Sequence, residues 1–405
     1  MTARTAGRGM VADGLALSAS AGITAVAGMI GWVLAARLLP PSDVGATAAF
    51  VSGFLLVAGI AELGLGPAIL RWLPRAGALR RRLLGRGYLA VLLGAVAGAS
   101  VFVLVPAGAE VVRKLPAGAA LFLPAAVGWT LFQFQDSVLT GLGRARWVPL
   151  ENTAFSVLRL VLLGALGPLL GVLGLVLSWL VPTVLGVVVV SALVYRRVRP
   201  GPVPGVLPDR REILRLLAPT YPATVCVVVL YNLVPLIVLD RFGAEANAVF
   251  FVVWTAINAL DVAATAFVNP LVVRLSGQPG PARELVARAG GRLVLVFTPV
   301  LVAGMLLAGA LLAIFGRDYT QGAGLLRVLL VAQFPRLVVV LGVAVHLAAG
   351  RGIGVAGPQA ATAALAVVLA LVLPGQAAFG VGMLIVQGAL ALITVLSLAN
   401  VRWRR

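Results

Sequence analysis

Twelve runs of mostly apolar residues, each long enough to span a bilayer, follow one another along this chain with only short polar segments between them. The runs read as 14–38, 44–69, 84–105, 118–141, 149–170, 173–195, 216–239, 246–272, 293–315, 322–348, 353–373 and 377–400. This pattern constrains the fold more than any motif does. Hydrocarbon offers no partner to a backbone amide, so each run must satisfy its own peptide groups, and a helix does so within the segment. Sixty-one per cent of the residues are hydrophobic, against roughly 45–50% in soluble chains. The expectation is an all-α membrane protein of about twelve transmembrane helices.

The formal net charge of +19 could point to nucleic acid, but its distribution points to a membrane surface. With the N-terminus inside, 24 of the 32 Lys and Arg fall in cytoplasmic segments. Arg71, Arg75, Arg80, Arg81, Arg82 and Arg86 follow the second span, and Arg196, Arg197, Arg199, Arg210, Arg211 and Arg215 follow the sixth. The outer loops hold Arg37, Arg113, Lys114, Arg241 and Arg317. This bias orients every span consistently and puts both termini in the cytoplasm. The expected partners of the basic loops are anionic lipid headgroups rather than nucleic acid. Arg4 and Arg8 look like the start of a secretory signal, but the apolar run continues to Leu39 as a full span.

The chain also repeats itself at an offset of about 204 residues. Pro67-Ala-Ile-Leu-Arg71 is answered by Pro270-Leu-Val-Val-Arg274, and Leu142-Gly143-Arg144 by Ala349-Gly350-Arg351. Arg37 and Arg241 each precede a polar turn and a new apolar run. A Pro-, Gly- and Arg-rich stretch at 196–208 reads as the linker. The expected division is therefore 1–200 and 201–405, joined by a cytoplasmic linker at about 196–212. Six spans on each side make the halves parallel repeats, an architecture suited to alternating access.

Some chemistry has no residues to carry it. A Walker A loop needs Lys before Ser or Thr, and the single Lys, Lys114, precedes Leu115. One His and one Cys offer no zinc cluster and no Cys/His dyad. No catalytic residue, metal ligand or cofactor site is assigned, and an enzyme is not the expected reading.

Charges inside the spans ask for a partner or a task, since each costs about 2.5–3.5 kcal/mol at a helix centre on insertion scales. Arg159 and Arg336 fall near midspan and could bind an anionic substrate group through the guanidinium fork. Alternatively, each is neutralised by a nearby acid. The buried acids Glu62, Asp136 and Asp261 could carry a proton, or could form salt bridges to a buried Arg. On the repeat, Glu62 aligns with Thr265, one turn from Asp261. Gln133, Asn152 and Asn258 could hydrogen-bond sugar hydroxyls, or could hold helices together. The solitary His346 reads as structural, and Arg327 reads as snorkelling from near the outer surface.

Ala36-Arg-Leu-Leu-Pro-Pro-Ser-Asp-Val-Gly45, followed by Ala61-Glu-Leu-Gly-Leu-Gly-Pro67 and Arg71-Trp-Leu-Pro74, resembles the N-terminal signature of bacterial polysaccharide-biosynthesis flippases. These belong to the multidrug/oligosaccharidyl-lipid/polysaccharide (MOP) superfamily. Pro40 stands where that pattern has Gly, and Val44 where it has an aromatic. The resemblance implies two six-helix bundles in a V, as in multidrug exporters of the superfamily. It implies translocation of an undecaprenyl-pyrophosphate-linked oligosaccharide across the bacterial cytoplasmic membrane, without a cofactor and with gradient coupling. A polysaccharide polymerase and glycosyltransferases would be pathway partners. By analogy it gives Arg159 and Arg336 a pyrophosphate-binding role. A cation-coupled multidrug antiporter of the same superfamily is the alternative, and a membrane-embedded glycan-biosynthesis enzyme a more distant one.

Overall fold

The computed structural model describes residues 24–197, 204–218, 221–277 and 282–399. The first residues of the first expected span, both termini and the middle of the expected linker lie outside these. The described residues form helices and turns with no strand. Among the described residues nine helices are long and apolar enough to cross a membrane, one bent pair counts as a tenth if it is a single span, and Thr24–Leu38 is a shorter apolar helix. One of the nine is broken in its middle, so the segments follow the twelve-span order read from the sequence.

The chain divides into two compact units, Met1–Tyr221 and Pro222–Arg405. In the first, α1 (Thr24–Leu38) leads through Pro40 into α2 (Pro41–Ala61). Pro41 at the first helical position has the backbone angle a helix start needs, and its missing N–H costs nothing there. Then follow α3 (Leu65–Trp72), α4 (Arg80–Leu104), α5 (Pro106–Arg113), α6 (Gly118–Gly141), α7 (Trp147–Leu170), α8 (Val172–Arg197) and α9 (Arg210–Leu217). The second unit holds α10 (Tyr221–Gly277), α11 (Ala282–Leu306), α12 (Ala308–Ala313), α13 (Ala323–Ala348), α14 (Gly352–Val372) and α15 (Gln376–Ala399).

Several boundaries differ from the sequence reading. The expected span 44–69 stops at Ala61, because Leu63 and Gly64 both take positive φ (55° and 63°) and α3 starts afresh. The expected outer loop 106–117 contains α5, and α5 with α6 forms a pair bent by 108°. The expected span 293–315 begins at Ala282 instead, so Arg283, Arg288 and Arg292 ride on a helix. An Arg288–Glu284 ion pair at 2.9 Å, one turn apart, helps carry that helix beyond its apolar part. The end of the expected linker is the helix α9, which packs on α3 and so belongs to the first unit.

In α10 the expected polar turn at 241–245 shrinks to one residue. Gly243 (φ 84°, ψ 175°) interrupts the helix by itself, a conformation open to glycine and closed to other residues. Arg241 tethers the break by donating to the carbonyls of Ala370 (2.7 Å) and Leu373 (2.8 Å) at the end of α14.

Each unit is built around one helix. In α2, 83% of the apolar stretch is buried, and in the span that includes α13, 61%; the other seven helices that are long enough on their own lie between 17% and 33%. A helix apolar on every side belongs in the middle of a bundle, and the rest turn a face to lipid. Between α13 and α15 the backbones pass so closely that a Cβ at Gly342 would lie 2.1 Å from Thr394 Cγ2. Lipid is as apolar as leucine, so such small-residue contacts, rather than hydrophobicity, hold helices together.

Candidate functional site

In the first unit, α7 turns Arg159 inward until it is 3% exposed. Its guanidinium lies over Trp179 of α8, 3.8 Å from the ring centroid, and 5.9 Å from the ring of Trp32 in α1. The opposite wall is Gly31, where a Cβ would stand 3.1 Å from Nη2. Nε and Nη2 are buried with no hydrogen-bond acceptor, and no carboxylate among the described residues pairs with this side chain. An aromatic wall continues the site. Trp129 of α6 lies 5.4 Å from both Trp179 and Phe155 and 5.5 Å from Phe132.

A desolvated cation–π contact is worth about 2 kcal/mol. A buried ion left without a counter-charge costs several. The rings therefore position the guanidinium without neutralising it. The chemistry this leaves open is the binding of an anion, for which Arg presents a fork of donors.

Two turns back on the same face of α7, about 12 Å away along the axis, Glu151 is 9% exposed. Both its oxygens are buried without a hydrogen-bond donor, and the side chain borders an apolar groove of about 320 Å³ among α6, α7 and α8. Asp136 of α6 accepts a long hydrogen bond from Asn152 Nδ2 (3.5 Å), and its other oxygen is buried and unpartnered. Glu62, at the break after α2, crowds Ser137 across Gly66. Asp136 lies within electrostatic reach of both Glu62 and Glu151. None of the three acids has a basic partner among the described residues. Gln133 is exposed and belongs to neither group. Its neighbour Gln135 instead bridges α6 to α8, donating to Val187 O (3.0 Å) and Ser191 Oγ (2.8 Å).

The second unit treats its charges differently. Arg336 Nε of α13 donates to Asp261 Oδ2 of α10 at 2.9 Å, with side-chain exposures of 5% and 8%. Arg336 Nη2 donates to Gln359 of α14 (3.2 Å), and the Tyr231 hydroxyl donates to the same Asp261 oxygen. The candidate anion binder and the candidate proton carrier are thus each other's counter-ion. Asn258, one turn before Asp261, is half-buried with no hydrogen bond described. His346 is engaged with Ser397 (3.1 Å) on α15, and Arg327 donates to Met305 O (3.2 Å).

Sequence reasoning missed Glu151 because it falls at the edge of a span. The available signal was its eight-residue spacing from Arg159, which puts both on one face of α7. It also missed the aromatic cradle, since no sequence spacing relates Trp32, Trp129 and Trp179.

The fold has close structural relatives. A multidrug resistance MATE family transporter of the MOP superfamily, in an inward-facing conformation, matches with a TM-score of 0.64 and 17% identity over 92% of this chain and 93% of that one. A MATE transporter in complex with MaL6 matches with 0.63 and 15% identity, over 96% and 94%. A MOP superfamily transporter from Pyrococcus furiosus, described as having a binding pocket of reverse polarity, matches with 0.60 and 17% identity, over 96% and 94%. No curated protein matches by sequence. The profile of the polysaccharide biosynthesis protein family matches residues 10–275, about two thirds of the chain. The chain therefore belongs to the polysaccharide biosynthesis protein family, and its multi-helix fold is that of the MOP superfamily transporters.

Proposed function

We propose that this transporter flips an undecaprenyl-pyrophosphate-linked oligosaccharide across the bacterial cytoplasmic membrane by alternating access, with both termini in the cytoplasm. The observation that carries the reading is Arg159, a cation buried against Trp179 without an anion among the described residues. Pyrophosphate supplies the missing charge, and the neighbouring aromatic wall offers stacking surface for sugar or isoprenoid. Arg336 is a second, weaker candidate, because it must first loosen its bond to Asp261. Asn152, Gln133 and Asn258 are candidate sugar contacts. Glu62 and Asp136 are the preferred coupling acids, since neither has a basic partner among the described residues; Asp261 would couple only by leaving Arg336. Glycosyltransferases and a polymerase of the same pathway are the partners this function requires.

The test is flipping of lipid-linked oligosaccharide in proteoliposomes. Arg159→Ala should abolish most of the rate, and Arg159→Lys should restore part of it. A wild-type rate in Arg159→Ala at normal protein level would overturn the reading.

A second reading has its own observation. One buried and two half-buried acids in the first unit, none with a basic partner among the described residues, would suit a lipophilic cation, as in a multidrug antiporter. Ethidium efflux that depends on Glu62 or Asp136, together with no flipping by the wild type, would favour it.

A further inference from the structure

A cavity of about 540 Å³ opens in the first unit, away from Arg159, where α3, α4 and the chain leading into α9 meet. Its size falls in the roughly 300–1,000 Å³ range of small-molecule sites. Ile69 and Trp72 wall it on one side, Leu83 and Ala90 on a second, and Leu207 and Ile213 on the third. Those walls give water few hydrogen-bonding partners, so they favour an apolar occupant. The one charged residue in the lining is Arg86, which is exposed and has no hydrogen-bond or ion-pair partner among the described residues. A second cation lies near the wall, for Arg71 is 5.8 Å from the ring of Trp72, which lines the cavity.

The surroundings have the same sign. Helix α4 begins Arg80-Arg81-Arg82, so three guanidinium groups add to the positive end of its dipole. Arg80 and Arg81 are held by backbone carbonyls of Pro74 (3.5 Å) and Tyr195 (3.4 Å). On α9, Arg211 and Arg215 are exposed beside Leu214, which is 65% exposed, while Ile213 faces the cavity. Basic and apolar residues exposed together are the composition of a helix lying in a membrane interface. The nearby acids are Asp209 and Glu212, and Glu212 accepts the Asp209 backbone N–H (3.3 Å).

We infer that this cavity is a site for an anionic phospholipid, with an acyl chain between α3, α4 and α9 and the phosphate at Arg86 and Arg71. An apolar pocket meets an unpaired basic rim there, and a phospholipid of the cytoplasmic leaflet carries both complements in one molecule. Its end of the unit is the one that the charge distribution is expected to place in that leaflet. The site would pin α9, and with it the chain that leads to the second unit, to the membrane. It is independent of the flipped substrate.

The experiment is native mass spectrometry of the full chain purified with phosphatidylglycerol or phosphatidylcholine. The wild type should retain phosphatidylglycerol preferentially. Arg71→Gln and Arg86→Gln should each weaken retention about fivefold, the factor that corresponds to about 1 kcal/mol per basic residue near an anionic surface. Ala90→Phe, which fills the cavity and changes no charge, should remove the bound lipid. Equal retention of the two phospholipids would overturn the inference, as would indifference to the arginine substitutions. Both arginines are exposed and fold-neutral, so they decide the matter even if Ala90→Phe proves unstable. Displacement of phosphatidylglycerol by equimolar undecaprenyl pyrophosphate would reassign the cavity to the substrate and also overturn it.

Discussion

Two arginines near midspan, one in each unit, meet opposite fates. Arg336 is neutralised by Asp261 at 2.9 Å and braced by Gln359. Arg159 has Trp179 beneath it, Gly31 beside it and no anion among the described residues. The second unit has spent its buried acid on its buried base. The first keeps Arg159 apart from three acids that also lack basic partners among the described residues. A paired ion specifies packing, because breaking it strands a charge. An unpaired ion is a standing cost that a ligand or a proton can relieve. Buried charge is paired in the second unit, whereas in the first it is left to the ligand and the protons of the function we propose.

The largest effect that could break this contrast is on stability. Asp261→Asn leaves Arg336 uncompensated and should cost about 3–5 kcal/mol, read as loss of the folded protein in detergent melts. Adding Arg336→Met should recover most of that loss. A stable Asp261→Asn single variant would show that the pair is not holding the second unit together.

Next comes Arg159→Ala. Its stability cost should stay within about 2 kcal/mol, the worth of a desolvated cation–π contact. Flipping should fall about tenfold to a hundredfold, because hydrogen bonds to a charged group contribute about 1.5–3 kcal/mol. Unfolding instead of a transport defect would erase the difference between the units.

Gly31→Val sharpens the comparison without touching charge. The added side chain must push the guanidinium off Trp179, so transport should fall by several-fold while the melting temperature changes little. Tryptophan emission should shift as Trp179 loses its cover. Unchanged transport would mean that the position of the guanidinium over the ring does not matter.

The smallest effect is expected from Glu151→Leu. Removing a buried carboxyl with no donor, beside an apolar groove, should raise stability by about 1–3 kcal/mol, the cost of an unsatisfied buried group. Lower stability would expose a partner for Glu151. Raised stability with lost gradient dependence would place it among the coupling acids beside Asp136.

Much of the fold was legible because hydrocarbon permits few answers. Twelve apolar runs imply twelve helical segments. The breaks were harder to read. A left-handed Leu63 next to Gly64 ends α2 well before the apolar run ends, and nothing in the local composition marks it. The start of α11 was hidden for the opposite reason, since its first turns are polar and held by an ion pair. At the site, the charged residues in the spans could be picked out by position alone. The partner each one took could not.

The sequence by itself determined the class of solvent, the helical architecture and the list of residues expensive enough to need a reason. Those follow from chain-local physics: apolar length, backbone satisfaction and the cost of a charge. Only the tertiary structure decided which charge met which. Arg336 finds Asp261 across 75 positions, and Arg159 rests on Trp179 and Gly31 from two other helices. Helix packing sets those distances through contacts such as Gly342 against Thr394, and no periodicity along a single helix encodes them.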